Sequence, residues 1–282
     1  MRVLVVPNTG KDEAISGARE LVAWLRDAGH EAVLAMDDAQ ACGCPEAGVA
    51  LNALGEVGLV VALGGDGTII KAVRKIGELD APVLGVNFGR LGFLSAADGE
   101  HMLDAVEAAL AGEFRAERRL TLRASVSQGG REVGSYRVLN EVFVGRLGAS
   151  RVADLSVSVS GAKIADFSAD GIIVATPTGS TAYSLSAGGP IVAPDVRALV
   201  VVPVAPHTLA DRAVIVGPGE EVEITCPAGR AADVCVTVDG QEVPCRMTLD
   251  AVRVRAAQSD VTLVRLDGRG FYDVVADEFF RG

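Results

Sequence analysis

The sequence predicts two domains, an N-terminal α/β domain built on a parallel sheet and a C-terminal domain of antiparallel β-sheet. The 282 residues, of which 49% are hydrophobic, suffice for two hydrophobic cores. Up to about residue 117, short apolar runs alternate with helical patterns, which is typical of a parallel sheet covered by helices. From about Leu120, apolar and polar residues alternate singly, which is typical of antiparallel strands with one face in water.

The N-terminal part shows strands and helices in regular succession. In the first helical stretch, apolar residues recur at the spacing of one helix face, and Gly29 stands where that helix should end. The strands are short, buried-looking apolar runs. The predicted strands are Arg2–Val6, Glu31–Met36, Val57–Leu63 and Pro82–Val86, and the predicted helices are Asp12–Ala28, Thr68–Ile76 and Met102–Leu110.

The C-terminal part is predicted from period-two alternation, which is clearest at 155–160 and recurs at 222–224, 234–238 and 252–254. The segments Gln128–Gly130 and Asp239–Gly240 have the composition of turns between antiparallel strands. A helix-like insertion interrupts the pattern around Thr181–Ala187.

These changes of pattern place the domain boundary near residue 118. We expect residues 1–117 to form a domain that binds the phosphate donor and residues 118–269 to form the β-rich domain. The final segment, Phe271–Phe280, is aromatic and acidic and does not alternate. We therefore expect residues 270–282 to pack back on the first domain.

Composition excludes several functional classes. The chain has 26 Lys and Arg against 37 Asp and Glu, a net charge of −11, and this acidic surface repels nucleic acid. Apolar runs fall short of the ~18–20 residues that span a bilayer, and the N-terminus is too short for a secretory signal, so we expect a cytoplasmic protein with no membrane partner. The five cysteines are odd in number, and in their only close pair, Cys42 and Cys44, one residue intervenes. They indicate neither a disulfide framework nor a zinc site.

A glycine-rich turn, Gly64–Gly65–Asp66–Gly67–Thr68, follows the predicted strand that ends at Leu63. Glycines allow close approach of the backbone, and the helix that follows offers free N–H groups to a phosphate. A carboxylate beside phosphates suggests that Asp66 holds a metal ion or accepts a proton from an attacking hydroxyl. The alternative is a plain tight turn in which Thr68 caps the helix.

A second segment, 170–190, ends a buried strand in a loop rich in hydroxyls and glycine. Such a loop suits the neutral parts of a nucleotide, with Tyr183 available for stacking. It could equally be a capping loop with Tyr183 in the core. A third feature, Asn140–Glu141, interrupts an apolar strand, and Glu141 either faces water at a sheet edge or offers its carboxylate to a ribose or an adenine amine.

Together these motifs closely resemble the NAD kinases in order and spacing. The resemblance rests on 64–68, the segment Asn87–Leu94, Asn140–Glu141, the segment Asp170–Ser186 and Pro206–Leu209. It implies a Rossmann-like N-terminal domain and a β-sandwich-like C-terminal domain. It also implies transfer of the ATP γ-phosphate to the 2′-hydroxyl of the adenosine ribose of NAD, which gives NADP.

The resemblance further implies roles for individual residues. Asp66 would be the catalytic carboxylate, and Gly64, Gly65, Gly67 and Thr68 would face phosphates. Asn140 and Glu141 would hold a ribose, and Asp170 would reach the nicotinamide end of an NAD bound to the same or a neighbouring subunit. The adenine and ribose pocket would be lined by Thr181, Ala182, Tyr183, Ser184, Leu185 and Ser186, and further dinucleotide contacts would come from Arg151, Ala205 and Gln241.

Three positions carry open alternatives. Many members of the family have a basic residue where this sequence has Ser168, so that a phosphate contact would come from Lys163 or Arg151 or be missing. Arg151 could equally be a solvated strand residue. Lys11, after the first strand, could reach a phosphate or lie in solvent.

The resemblance implies a divalent cation such as Mg²⁺ on the phosphates, ATP or polyphosphate as the donor, both substrates in a cleft between the domains, and a homodimer or homotetramer. Two other hypotheses stay open from the sequence. One is a diacylglycerol- or sphingosine-type lipid kinase, because such kinases share the glycine-rich turn. The other is a non-catalytic NAD(P) sensor.

Overall fold

A computed structural model describes residues 1–90, 92–148, 152–207, 211–226, 234–244, 249–266, 268 and 270–281. The chain forms two compact units. The first, here the α/β unit, comprises Met1–Arg118 and Val261–Gly282, and the second, the β unit, comprises Arg119–Asp260.

The α/β unit is a sheet with helices packed against it. Its elements are β1 (Arg2–Pro7), α1 (Asp12–Asp27), β2 (Glu31–Ala35), α2 (Met36–Cys42), β3 (Gly48–Val49), β4 (Leu59–Leu63), α3 (Asp66–Ile76), β5 (Val83–Asn87), β6 (Ala97–Asp98), α4 (Met102–Ala111), β7 (Arg115–Arg119), β20 (Val261–Arg265) and α6 (Phe271–Val275). Its described residues form an eight-stranded sheet in the order β3-β2-β1-β4-β5-β20-β7, with β6 paired to β5. The pairs that join β1 to β2 and β4, β4 to β5, and β5 to β20 are parallel.

The apolar pattern of the sequence accounts for these elements. The strands β1 and β4 are buried almost throughout, and α1 buries Ala14, Ala18, Leu21 and Leu25 along one face. Two predictions differ from the structure. Met36 begins a helix rather than ending β2, and Val261–Arg265 joins the sheet of the α/β unit, whereas we expected residues up to 269 in the second domain.

The β unit is a sandwich of two antiparallel sheets. Its elements are β8 (Leu122–Gln128), β9 (Arg131–Val138), β10 (Glu141–Arg146), β11 (Ala153–Val159), β12 (Ala162–Ala169), β13 (Gly171–Ala175), α5 (Tyr183–Ser186), β14 (Leu199–Val204), β15 (Val214–Val216), β16 (Glu221–Thr225), β17 (Val234–Val238), β18 (Gln241–Glu242) and β19 (Leu249–Ala256). The described residues give one six-stranded sheet in the order β15-β14-β13-β10-β17-β18 and another in the order β12-β11-β16-β19-β8-β9. Residues of both sheets, such as Leu122, Val144 and Val252, share one hydrophobic core.

Two predicted turns are two-residue hairpin loops. Gly129 and Gly130 join β8 to β9, and Asp239 and Gly240 join β17 to β18, each with positive φ at both residues. The predicted fold classes, parallel α/β followed by antiparallel β, are thus confirmed. In the described part of the chain, no helix is long and apolar enough to cross a membrane.

Candidate active site

The glycine-rich turn connects β4 to α3 in a conformation that requires glycine. Gly64 has φ of +147°, and a Cβ there would lie 2.4 Å from Oγ1 of Thr68. The Gly64 N–H donates to the carbonyl of Val86, 2.8 Å away on the neighbouring strand, and the Thr68 N–H donates to the carbonyl of Gly65. The turn therefore presents the start of α3 at the carboxyl end of the parallel strands, where anions bind in such sheets.

A cavity of about 280 Å³ opens beside this turn. It brings together two lysines and the start of α3, a combination that suits an anion because the N-terminus of a helix carries partial positive charge. The residues that line it are Asn8, Thr9, Lys11, Gly65, Gly67, Thr68 and Lys71.

Lys71 is a cavity residue that the sequence analysis missed. Its Nζ donates to Oδ1 of Asp38 at 2.9 Å and to the carbonyl of Pro7 at 3.2 Å. Asp38 is buried and also pairs with Lys75 at 2.8 Å, so one carboxylate is shared by two ammonium groups. The available signal was the spacing of Lys71, three residues after Thr68 on one helix face.

The Asp66 carboxylate is held by a loop that follows β5. Its Oδ2 accepts the backbone N–H of Phe93 at 2.9 Å, and its Oδ1 accepts the N–H of Leu94 at 3.2 Å and the hydroxyl of Ser95 at 3.5 Å. A Cβ at Gly92 would lie 2.4 Å from Oδ1, so any larger residue there would displace the carboxylate. Because a carboxylate has about four acceptor sites, Asp66 keeps capacity for a further donor such as a substrate hydroxyl.

The described residues contain no group of three or more His, Cys, Asp or Glu side chains suited to a metal ion. Mg²⁺ in phosphoryl-transfer enzymes takes most of its ligands from substrate phosphates and water, with one or two carboxylates from the protein.

In the β unit, Asn140 directly precedes β10 and Glu141 begins it, in a backbone held from two sides. Asp239 accepts the N–H groups of Leu139, Asn140 and Glu141 at 2.9, 2.7 and 3.1 Å. The Thr176 N–H donates to the carbonyl of Asn140 at 2.8 Å, and its hydroxyl donates to the carbonyl of Leu139 at 2.6 Å. The two side chains therefore project from a fixed backbone.

Three buried polar atoms in this region have no hydrogen-bond partner within the described part of the chain: Asn140 Oδ1, Glu141 Oε2 and Ser184 Oγ. Buried polar atoms are rarely left unpaired, so each is a candidate ligand contact. Burial, and secondarily the charge of Asp239, raise the pKa of Glu141 to about 7, although the Tyr183 N–H opposes the shift by bonding the carboxylate. This carboxyl can therefore be either donor or acceptor near neutral pH.

The hydroxyl-rich loop begins as a tight turn and ends in the short helix α5. Ser180 Oγ is used internally, since it donates to the carbonyl of Pro177 at 2.6 Å and accepts the N–H of Val192 at 2.9 Å. Tyr183 is 42% exposed, so its alternative placement in the core is wrong. Its ring lies 5.6 Å from that of Phe143, and the two rings form a partly open aromatic surface.

The other predicted loop positions follow the same turn. Thr181, Ala182 and Leu185 are partly buried, and Ser186 is exposed. The Thr181 hydroxyl donates to the carbonyl of Thr178 at 3.3 Å. These positions lie on one continuous segment with Tyr183 and Ser184.

Asp170 is paired with Arg146, another residue that the sequence analysis missed. Arg146 Nε donates to Oδ1 of Asp170 at 2.6 Å. The Asp170 N–H donates to the carbonyl of Val204, the last residue of β14. The exposed Ala205, with φ of +46°, follows directly after this strand. Gln241 is exposed and begins β18, directly after the Asp239–Gly240 turn.

The structure bears on the alternatives that the sequence left open for the basic residue near Asp170. Ser168 donates its hydroxyl to Asp154. Lys163 is exposed and pairs with Asp166 at 2.7 Å, whereas Arg146 supplies a cation beside Asp170. Arg151 lies outside the described residues.

Comparison with protein families matches residues 50–114 to the ATP-NAD kinase N-terminal domain and residues 139–266 to the ATP-NAD kinase C-terminal domain. A protein described as NAD kinase from Syntrophotalea carbinolica is 38% identical over 275 residues, which are 97% of this chain and 96% of that protein. Another NAD kinase, from Symbiobacterium thermophilum, is 39% identical over 272 residues, which are 96% of each chain.

Two solved structures share the fold. The yeast NADH kinase complexed with NADH has a TM-score of 0.87 at 24% identity, with 100% of this chain and 87% of that chain covered. An NAD kinase from Archaeoglobus fulgidus in complex with ATP has a TM-score of 0.72 at 23% identity, with 94% of each chain covered.

Proposed function

The chain belongs to the NAD kinase family, and from that premise we propose which of its residues carry the reaction. The activity is transfer of a phosphoryl group to the 2′-hydroxyl of the adenosine ribose of NAD, which gives NADP. Membership of this family favours the NAD kinase hypothesis over the two others that the sequence left open, a lipid kinase and a non-catalytic sensor.

Asp66 is proposed as the group that orients the 2′-hydroxyl and accepts its proton. The oxygen of that hydroxyl then attacks the terminal phosphorus of the donor, and the bond from phosphorus to the bridging oxygen breaks, with the shortened phosphate chain as leaving group. The observation that carries this role is the fixed carboxylate, held by two backbone N–H groups and one hydroxyl. Phosphoryl transfer depends chiefly on such positioning and on charge stabilisation.

The donor, ATP or polyphosphate, is proposed to place its phosphates in the cavity beside the glycine-rich turn. The N–H groups at Gly65 and Gly67, with the ammonium groups of Lys11 and Lys71, supply positive charge there. A divalent cation such as Mg²⁺, bound mainly through phosphate oxygens and water, would neutralise further charge. These local groups offset the net charge of −11, which by itself repels phosphates.

The β unit is proposed to bind the dinucleotide. Asn140, Glu141 and Ser184 each offer a buried atom that lacks a partner, and such atoms suit ribose hydroxyls or an adenine amine. Tyr183 and Phe143 offer ring faces to a base. Further proposed contacts are Asp170 with Arg146, and Thr181, Ala182, Leu185, Ser186, Ala205 and Gln241.

The experiment that tests this assignment is a coupled assay for NADP formation with Asp66→Asn beside the unaltered enzyme. We expect turnover to fall by about 100-fold or more, because loss of the proton acceptor removes general-base catalysis. NAD affinity, measured by calorimetry, should stay within about threefold, since the other proposed dinucleotide contacts are on the β unit and stay unchanged. Near-normal turnover would remove Asp66 from the mechanism.

Two further properties are part of the proposal. A homodimer or homotetramer is supported by the edge strands β9 and β12, which expose Val133 and Ile164 at about half of their surface. Sedimentation that shows an active monomer would count against a shared site. A cytoplasmic location is supported by the described thiols Cys42, Cys44, Cys226 and Cys235, all free, as in a reducing compartment, and cell fractionation tests it.

A further inference from the structure

Arg265, at the end of β20, makes several hydrogen bonds to the loop that holds Asp66. Its Nη2 donates to the carbonyl of Phe93 at 2.7 Å, and its Nη1 donates to the carbonyl of Ser95 at 3.0 Å. Its Nε donates to the carboxylate of Glu117 on β7. The side chains of Arg265 and Glu117 are 15% and 16% exposed, so this pair is largely withdrawn from water.

The peptide group between Phe93 and Leu94 connects Arg265 to Asp66. Its carbonyl accepts the guanidinium N–H, and its N–H donates to Oδ1 of Asp66 at 3.2 Å. A cation bonded to a peptide carbonyl polarises that peptide and strengthens its N–H as a donor. Arg265 is therefore linked to the Asp66 carboxylate through one rigid planar group.

The C-terminal segment holds the same loop from its apolar side. The ring of Phe93 lies 6.0 Å from the ring of Phe271 and 5.9 Å from that of Phe279. Arg90, earlier in the loop, pairs with Glu278 at 3.2 Å. The loop is thus fixed in two ways: Arg265 bonds its carbonyl groups, and the C-terminal segment packs against the ring of Phe93.

We propose that Arg265 is a positioning residue for phosphoryl transfer: acting through the Phe93–Leu94 peptide, it fixes the orientation of the Asp66 carboxylate. Glu117 and the aromatic contacts of Phe93 keep this arrangement in place. The inference rests on the proposed role of Asp66. It assigns to the end of the chain a function in catalysis, since Arg265 and its aromatic supports all follow the β unit in sequence.

The test is Arg265→Gln, measured by steady-state kinetics with ATP and NAD. Misplacement of a reacting group by about 1 Å costs about 100-fold in rate, so we expect a fall of that size in kcat. The KM values should stay within about threefold, because the proposed substrate contacts are unchanged. Arg26→Gln is the control: it removes an exposed ion pair, to Glu46 in the same unit, and should leave kcat within about twofold.

A second readout does not depend on activity. In ¹H–¹⁵N spectra, the amide proton of Leu94 should move upfield in Arg265→Gln, because its hydrogen bond to Asp66 weakens. Arg265→Lys, which keeps the charge but loses the planar fork, should show a smaller shift and an intermediate kcat. If Arg265→Gln does not fold, the same measurements on Arg265→Lys replace it as the test.

The possible results distinguish the inference about Arg265 from the proposed role of Asp66. A kcat for Arg265→Gln within about threefold of the parent, or an unmoved Leu94 resonance, overturns the inference about Arg265. A lowered kcat with KM values raised in the same proportion assigns Arg265 a general structural role and also overturns it. Near-normal turnover of Asp66→Asn instead removes Asp66 from the mechanism, and the inference about Arg265 then loses its premise.

Discussion

Replacement of Glu141 by glutamine should make the stability of the ligand-free protein less dependent on pH. The side chain is 8% exposed, its Oε2 has no partner among the described residues, and Asp239 lies close by. Burial and the charge of Asp239 together raise the pKa of Glu141 from 4.5 to about 7. Glutamine has nearly the same shape but does not ionise, so it removes this titration alone.

The sign follows from proton binding in the two states. Below the unfolded pKa of Glu141, the carboxyl is protonated in both states and adds no pH dependence. As pH rises from 4.5 to about 7, the folded protein keeps a proton that the unfolded chain has lost, so the free energy of unfolding falls. Above pH 7 the loss is complete, and the pKa difference corresponds to about 3 kcal/mol.

The assay is urea denaturation followed by circular dichroism at about pH 5 and about pH 8.5, on either side of the folded pKa. The free energy of unfolding of Glu141→Gln, relative to the parent, should rise by about 2–3 kcal/mol between the two conditions. Glu223→Gln, which removes a partly exposed carboxylate paired with Arg253, is the control and should show a nearly constant difference. An equally constant difference for Glu141→Gln would refute the claim that burial keeps this carboxyl protonated.

Two further predictions test the surroundings of the site. Gly92→Ala places a methyl group 2.4 Å from Oδ1 of the Asp66 carboxylate, so kcat should fall by about 100-fold. Gly89→Ala in the same loop, where the nearest atom to the new Cβ is 3.9 Å away, should change kcat by less than about twofold; equal effects would contradict the argument. Arg146→Gln leaves Asp170 without its cation, and because this pair is about one-third exposed, the melting temperature should hardly move. NAD affinity should fall by about tenfold if the pair orients Asp170, and unchanged affinity by calorimetry would exclude that role.

The sequence predicted those parts of the fold that depend on local pattern. The helix face of α1 and the turn at Gly64–Thr68 were found because their signals lie within a few residues. The placement of β20 was missed because a short apolar strand carries no sign of which sheet it joins. Arg265 and Arg146 were missed for a related reason, because a charged residue in a predicted strand is expected to face water unless its partner is known.

In both parts of the candidate site, the residues proposed to act on substrates lie in short motifs, whereas the residues that orient them lie far away along the chain. Asp239 holds Asn140 from 99 residues away, and Arg265 holds Phe93 from 172 residues away. In each case the contact is made to the backbone of the motif, so it fixes the direction of a side chain without touching that side chain. Substitutions at these supports should therefore lower catalysis or binding while the motifs themselves stay intact, which the kinetics of Arg265→Gln measure directly.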